Sequence, residues 1–232
     1  MTRQELGTSL NLEERLIPQG NANRSGRPLR PTKICVHNTD NSARGADAIA
    51  HSRHLIQNAG DSGNGPTSWH YTVDDTRVVK HLPLGEIGFH AYASGNSVSL
   101  GIEMCMNSDG NWSETVDRTA RLVAVLCFDF GWGIGSTKQH HDFPRSNGTR
   151  KNCPSRIRSD FNGTDWNDFI ALSKNYFDQM LSAEGFVHGF TISKEVRATE
   201  NEVNFTVELN EELDIDHGDE IIIPDELLNY KE

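Results

Sequence analysis

The chain has 232 residues, of which 35% are hydrophobic and 24% charged, and it carries a net charge of −11. That length buries one full-sized core with room for a small appendage. No apolar run approaches the roughly 20 residues of a membrane-spanning helix, so no membrane insertion is expected. The charge is unevenly placed: from residue 184 onward there are 14 acids and 3 bases, whereas residues 1–183 hold 19 of each. An acidic balance without a basic face argues against a nucleic-acid partner, and an acidic tail by itself reads as a solubility device. The opening MTRQELGTSLNLEERL lacks the apolar core of a secretory signal, so the expectation is a protein made in the cytoplasm without a signal peptide.

In chain order, residues 1–31 are polar and punctuated by Pro, Gly and Asn, and read as an irregular lead-in. KICVHN is a short strand with an apolar centre. GADAIAHSRHLIQNAG reads as a Gly-bounded helix with an apolar stripe of Ala46, Ile49, Ala50 and Ile56. SWHYTVDDTRVVKHLP suggests two strands around an Asp74-Asp75-Thr76 turn, and SVSLGIEMCMN another strand buried in its middle. SETVDRTARLVAVLCFDFGWG is a strong helix that Ser113 can cap and Gly131 ends, with Val116, Ala120, Val123, Ala124 and Cys127 in period. Polar loop 136–160 follows. A second strong helix covers 164–182, with Trp166, Phe169, Ile170, Phe177 and Leu181 inward and Gly185 as its stop.

Strands and helices mix without strict alternation, which predicts an α/β protein of the α+β type, a mixed central sheet flanked by helices. The texture changes near residue 186. NEVNFTVEL alternates, placing Val203, Phe205, Val207 and Leu209 on one face, and DEIIIPDELL adds an apolar run. Residues 186–232 therefore read as a small acidic β-rich module, too short to support much of a core alone. It would dock on the main domain at 1–183 or pair two copies into a homo-oligomer.

His37, His140 and Cys153 are the chemically informative residues. Two imidazoles and a thiolate are a donor set for zinc that leaves the fourth tetrahedral position open. Asp142, two residues past His140, is the kind of acceptor that fixes a ligand imidazole's tautomer. Cys35, Cys105 and Cys127 sit in apolar runs and read as buried free thiols. Cys153 lies in RKNCPSR, where Arg150, Lys151 and Arg156 favour the thiolate. Glu103, at the end of the apolar GIE, is a carboxylate placed to move protons for a metal-activated water. Any single histidine is more often structural than a ligand, and ligands this widely separated make a weaker signal than paired CxxC motifs.

KICVHNTD, SWHYTVDD, GFHAYASGNSVSLGIEMC and QHHDF…RKNCP occur in this order, and together they resemble the zinc N-acetylmuramoyl-L-alanine amidases of the amidase-2 family. That family includes phage endolysins, Bacillus autolysins and the peptidoglycan recognition proteins. The resemblance spans roughly residues 20–160. It implies a zinc-bearing groove with one Zn2+ per chain, held by His37, by His140 (the His-x-Asp register selecting it over His141) and by Cys153. It implies Glu103 as the catalytic carboxylate, Lys151 as a lysine beside the metal, and His90 as a groove histidine that touches substrate. Asn38, Thr39, His70, Phe89 and Tyr92 are further candidates for the groove wall. The implied substrate is bacterial peptidoglycan, cut between N-acetylmuramic acid and L-alanine, with the enzyme acting on the wall after release from the cell that makes it.

Two departures stand out. Trp69 occupies a position where some relatives have a tyrosine, and the stretch HDFPRSNGTRKN is longer than in typical members. A cytoplasmic amidase that recycles wall fragments usually has Asp where Cys153 stands, a non-catalytic recognition protein typically loses that Cys, and a closed structural zinc site wants a fourth protein ligand.

Overall fold

The computed structural model describes residues 1–57, 65–158 and 164–184, together with strand segments at 190–193, 198–199, 202–203 and 206–209. The chain divides into two compact units, Met1–Gly185 and Phe186–Glu232. The first unit opens with helix α1 (Arg3–Ser9) and strand β1 (Leu12–Glu14), then strand β2 (Lys33–Asn38) and helix α2 (Ala48–Gln57). Strands β3 (Tyr71–Val73) and β4 (Val78–Lys80) form the hairpin expected around Asp74-Asp75-Thr76. Helix α3 (Tyr92–Asn96), strand β5 (Ser99–Met104) and helix α4 (Trp112–Asp129) follow, then strand β6 (Thr137–Gln139), a 3-10 turn at His140–Asp142, helix α5 (Ser155–Arg158) and helix α6 (Trp166–Ala183).

Six strands form one sheet in the order β1-β4-β3-β5-β2-β6, and every pairing is parallel except the β3–β4 hairpin. This is the mixed sheet flanked by helices that the pattern of elements predicts. Strand alternation gives the sheet two chemically different faces. Ile34 and Val36 of β2 join Leu100, Ile102 and Met104 of β5 and Tyr71 and Val73 of β3 in one core cluster with α4 and with Phe169 and Met180 of α6. Burying a side chain such as Phe169 stabilises the fold by roughly 1.5–3 kcal/mol. Cys35 and His37 of β2 and Gly101 and Glu103 of β5 fall on the opposite face by the same alternation. Register pairs Cys35 with Gly101 and His37 with Glu103, so the chemically active residues stand side by side near the carboxyl ends of adjacent parallel strands. Ligand sites of open α/β sheets lie at such ends.

Four sequence expectations need correction. The lead-in is not irregular: a Thr2–Glu5 capping box starts α1, and β1 pairs in parallel with β4. Leu6, Leu10, Ile17 and Leu29 are buried, and Arg24 makes a largely buried ion pair with Glu86 at 3.0 Å. Isolated apolar anchors in a polar stretch carry no period, which hid this structure. Loop 136–160 contains β6, the 3-10 turn and α5. Helix α2 buries Ala48, His51, Ser52 and Leu55; of the expected stripe, Ala46 is buried just ahead of the helix and Ile49 packs beside Val79 and Cys105, while Ala50 and Ile56 are only half-buried. Finally, Asn111 rather than Ser113 caps α4, its side chain accepting from the backbone N–H groups of Ser113 and Glu114. The expected end holds: Gly131 follows Phe130 with φ +64°, which a residue without a Cβ adopts freely.

The second unit contains β7 (Phe190–Ser193) paired antiparallel with β10 (Thr206–Leu209), and β8 (Ala198–Thr199) paired antiparallel with β9 (Glu202–Val203). The face expected for Val203, Phe205, Val207 and Leu209, the run DEIIIPDELL, and the stops Gly60 and Gly185 lie outside the described residues. Among the described residues no helix is long and apolar enough to cross a membrane.

Two fully buried histidines link this fold to pH. The His81 Nε2 lies 2.7 Å from Thr72 Oγ1, and burial pushes its pKa down to about 3; His70 is lowered to about 4 for the same reason. Both are neutral in the fold but titrate near 6.5 when unfolded, so the unfolded chain binds more protons between these limits. Their stabilisation is therefore complete above about pH 6.5 and is lost as pH falls toward the folded values. In chelator, so that metal release does not contribute, urea titrations from pH 7 to 4.5 should show falling stability. His81→Gln should flatten that slope by roughly 1 kcal/mol per pH unit. An unchanged slope would remove His81 from the account.

Candidate metal centre

His37, near the carboxyl end of β2, is 1% exposed and forms the hub. Its Nδ1 lies 3.0 Å from His140 Nδ1 and 3.6 Å from Cys153 Sγ. His140 and Cys153 are themselves buried, and these three donors form a group that could hold a metal ion. A tetrahedral ion with bonds of about 2.1 Å to nitrogen and 2.3 Å to sulfur separates its donors by roughly 3.3–3.6 Å, so the observed spacing fits with small adjustment. Two imidazole nitrogens facing each other at 3.0 Å also need either a shared proton or a cation between them.

His140 opens the 3-10 turn that follows edge strand β6, which pairs with β2 through Ile34–Thr137 and Val36–Gln139. The expectation that Asp142 orients the His140 ring is corrected. Its carboxylate accepts from the Gln139 backbone N–H at 2.9 Å and caps the turn. His141 points elsewhere, its Nδ1 lying 3.0 Å from the Lys151 carbonyl. The Cys153 loop is fixed from three directions. The His141 N–H donates to the Cys153 carbonyl, Arg150 donates to the carbonyls of His141 and Asp142, and Asn38 Oδ1 accepts from the Arg156 N–H and the Ser155 hydroxyl. Asn38 is thus a brace behind the site rather than part of an open wall.

Electrostatics favour neutral imidazoles here. Burial drives His37 well below its usual range, helped by His90, His140 and Lys151, and lowers His140 to about 4. Burial, reinforced by Glu103, pushes the Cys153 thiol up to about 12. Of the three cations expected to favour the thiolate, Lys151 does act in that direction but is outweighed by burial, while Arg150 donates to carbonyls and Arg156 stacks 4.3 Å from the Trp112 ring. Burial thus favours the thiol near neutral pH, and a bound cation would favour the thiolate.

Glu103 stands beside the hub with Oε1 3.8 Å from His37 Nδ1. Its Oε2 is buried with no hydrogen-bond partner among the described residues, and burial raises its pKa to about 8 against the lowering influence of Lys151. Lys151 places Nζ 3.8 Å from Asp40. Partial burial works against its charge, but Cys153, Glu103 and Asp40 together hold the ammonium above its ordinary range. Asp40 went unrecognised in the sequence, although it directly follows the VHNT motif; its carboxylate also receives the Asn38 amide and the Ser155 hydroxyl.

The remaining candidates separate. Thr39 lines a cavity of about 310 Å³ with Asn41, Ala50, His51, His54 and Trp69, and its Oγ1 is buried without a partner among the described residues. Tyr92 sets its ring 4.8 Å from that of His140, beneath the Arg145 guanidinium at 5.1 Å. It does so with φ +54°, an unusual conformation for an aromatic residue and one often found at functional sites. Phe89 is half-buried and tied to Ser68 through its backbone. His70 is fully buried with Nε2 2.9 Å from the Glu86 carbonyl and Nδ1 accepting from the Gly101 N–H, so it supports the fold and reaches no groove. Nor does His90 face outward with free nitrogens: both are engaged, Nδ1 at 3.0 Å from His37 Nε2 and Nε2 at 3.3 Å from the Ser99 carbonyl. Trp69 donates its indole N–H to Thr72 Oγ1 at 2.7 Å, which occupies its one polar atom.

Residues 27–156 match the family described as N-acetylmuramoyl-L-alanine amidase (Amidase_2). The chain is 38% identical over 151 residues to the N-acetylmuramoyl-L-alanine amidase XlyA of Bacillus subtilis, covering 64% of this chain and 48% of that protein. It is 33% identical over 165 residues to CwlH of the same organism, covering 69% of this chain and 60% of the relative. The solved catalytic domain of XlyA superposes with a TM-score of 0.61 at 37% identity, covering 70% of this chain and 99% of that domain. The chain thus spans about half to three-fifths of the length of these two relatives.

Proposed function

Because the chain belongs to the amidase-2 family of N-acetylmuramoyl-L-alanine amidases, we propose that it hydrolyses the amide between N-acetylmuramic acid and L-alanine in bacterial peptidoglycan, using one zinc ion held by His37, His140 and Cys153. The observation that carries this reading is the buried N/N/S donor set with an unpaired carboxylate oxygen beside it. When bound, zinc supplies a Lewis acid and lowers the pKa of water at the site.

The chain's own residues divide the remaining work. Glu103 offers Oε2 to accept a proton from the attacking water and returns it to the departing amine. Burial holds its carboxyl at about 8, and a dication at the neighbouring site would favour the charged form that accepts a proton. Lys151 keeps its charge and faces the charge that develops on the carbonyl oxygen, support worth a few kcal/mol where such donors have been removed. With Trp69 committed to Thr72, proton transfer falls on Glu103 alone. Thr39, Phe89 and Tyr92 remain as groove residues that would contact the substrate.

The same proposal treats residues 1–183 as the catalytic part and the acidic 186–232 segment as a module for wall targeting or for pairing two copies. Its setting is the cell wall, reached after release of the protein from the cell that makes it. Digestion of purified peptidoglycan tests the reaction. Peptides with a free N-terminal alanine should appear without new reducing sugars, and a chelator should stop the release until zinc is restored. New reducing ends without free alanine would identify a glycosidase and end this reading.

A further inference from the structure

The His37 ring lies between two sets of donors. On its Nδ1 side are His140 and Cys153; on its Nε2 side are His90 Nδ1 at 3.0 Å and Cys35 Sγ at 3.2 Å. Which nitrogen is bare decides which side can take a metal, and the hydrogen bonds around His90 determine the answer. A carbonyl oxygen only accepts, so the contact between His90 Nε2 and the Ser99 carbonyl places the proton of the neutral His90 ring on Nε2. His90 Nδ1 is then an acceptor. At 3.0 Å it can be satisfied only by a proton on His37 Nε2, which leaves His37 Nδ1 bare and directed at His140 and Cys153. The opposite arrangement, with the Cys35 thiol donating to Nε2, would set two bare nitrogens against each other at that distance. Cys35 is therefore left as a weak acceptor of the same N–H.

We infer that His90 is a positioning residue that fixes the His37 tautomer, presenting Nδ1 to the metal, through a relay running from the Ser99 carbonyl to His90 to His37. A second feature of the chain is built around this relay. Gly101 sits inside β5 directly opposite Cys35 in the register, and a Cβ there would stand 2.7 Å from His90 Cγ and 2.8 Å from its Nδ1. Glycine in a strand interior weakens the strand and often marks a close approach. Here the close approach is the imidazole lying across the strand on its way to His37. The relay takes the role that Asp142 was expected to play, on the other ligand histidine.

The inference rests on the metal-site reading but not on which bond is cut, so the test reads metal and tautomer without substrate. His90→Leu keeps the bulk and removes the acceptor, whereas His90→Asn restores an oxygen near the lost Nδ1. Loss of such an outer partner typically weakens metal binding by about 10- to 100-fold. Chelator competition should accordingly show zinc held about 10- to 100-fold less tightly by His90→Leu and by Gly101→Ala, with most of the affinity recovered in His90→Asn. Thermal melts of the metal-free proteins serve as the folding control. Long-range 15N correlation of the zinc-loaded wild type should show His37 bound through Nδ1 and protonated at Nε2. Wild-type zinc affinity in a folded His90→Leu, no recovery in an equally stable His90→Asn, ligation through His37 Nε2, or a second zinc on the Cys35 side would each overturn the relay. A protein that binds no zinc at all would instead defeat the metal reading beneath it.

Discussion

His140→Ala should strip the protein of its metal while leaving the fold intact, and His141→Ala should retain the metal. The two residues are adjacent, yet only His140 aims a ring nitrogen at His37 Nδ1, from a buried position. His141 is instead engaged with the Lys151 carbonyl, outside the donor set. Without His140 the ion keeps one imidazole and one thiolate, and that thiolate must be formed from a thiol held near 12 by burial. The loss in zinc affinity should exceed the roughly 100-fold that follows removal of an outer partner, and activity should vanish with it. The metal-free form should stay folded with a modest loss of stability, because no polar partner of His140 Nε2 is lost but the buried ring gives up its packing against Tyr92 and His37. Elemental analysis after dialysis checks the outcome. Metal retained by His140→Ala and lost by His141→Ala would mean that the ligand register is off by one residue.

The parts of this site that could be read from sequence are those with a local signature. KICVHN and SVSLGIEMC announce themselves as strands through their apolar centres, with His37 and Glu103 at the ends of those apolar runs. The resemblance then singles out His140 and Cys153. Register is another matter: nothing local says that His37 stands opposite Glu103, since that pairing depends on which strands become neighbours and where they align. Strand β6 is three residues long, Thr137–Gln139, with no apolar repeat, so it reads as loop until its backbone pairs with β2. The lead-in hides in the same way, because single buried leucines spaced through polar sequence have no period. Histidines are hardest of all. His70, His81 and His90 occur within 21 residues, and only three-dimensional hydrogen bonding separates two that support the fold from one that touches His37 of the candidate metal site.

Glu103→Gln separates chemistry from construction most cleanly. The substitution keeps size and shape but removes the group that exchanges a proton, so hydrolysis should fall by roughly a hundredfold or more, within the range for a positioned general base. The protein should fold at least as well as wild type. The carboxylate is buried, its Oε2 is unpaired among the described residues, and its raised pKa of about 8 shows that the surroundings disfavour its charge. A neutral amide relieves that penalty. Zinc should stay, because the carboxylate lies 3.8 Å from His37 Nδ1, beside the donor set rather than within it, although a lost negative neighbour loosens a cation modestly. The diagnostic result is therefore a stable, metal-loaded protein that does not cut. If Glu103→Gln instead released N-terminal alanine at close to the wild-type rate, the proton would have to move through another group. Lys151, or Tyr92 with its ring against His140, would then inherit the role, and the division of labour drawn from this geometry would fail.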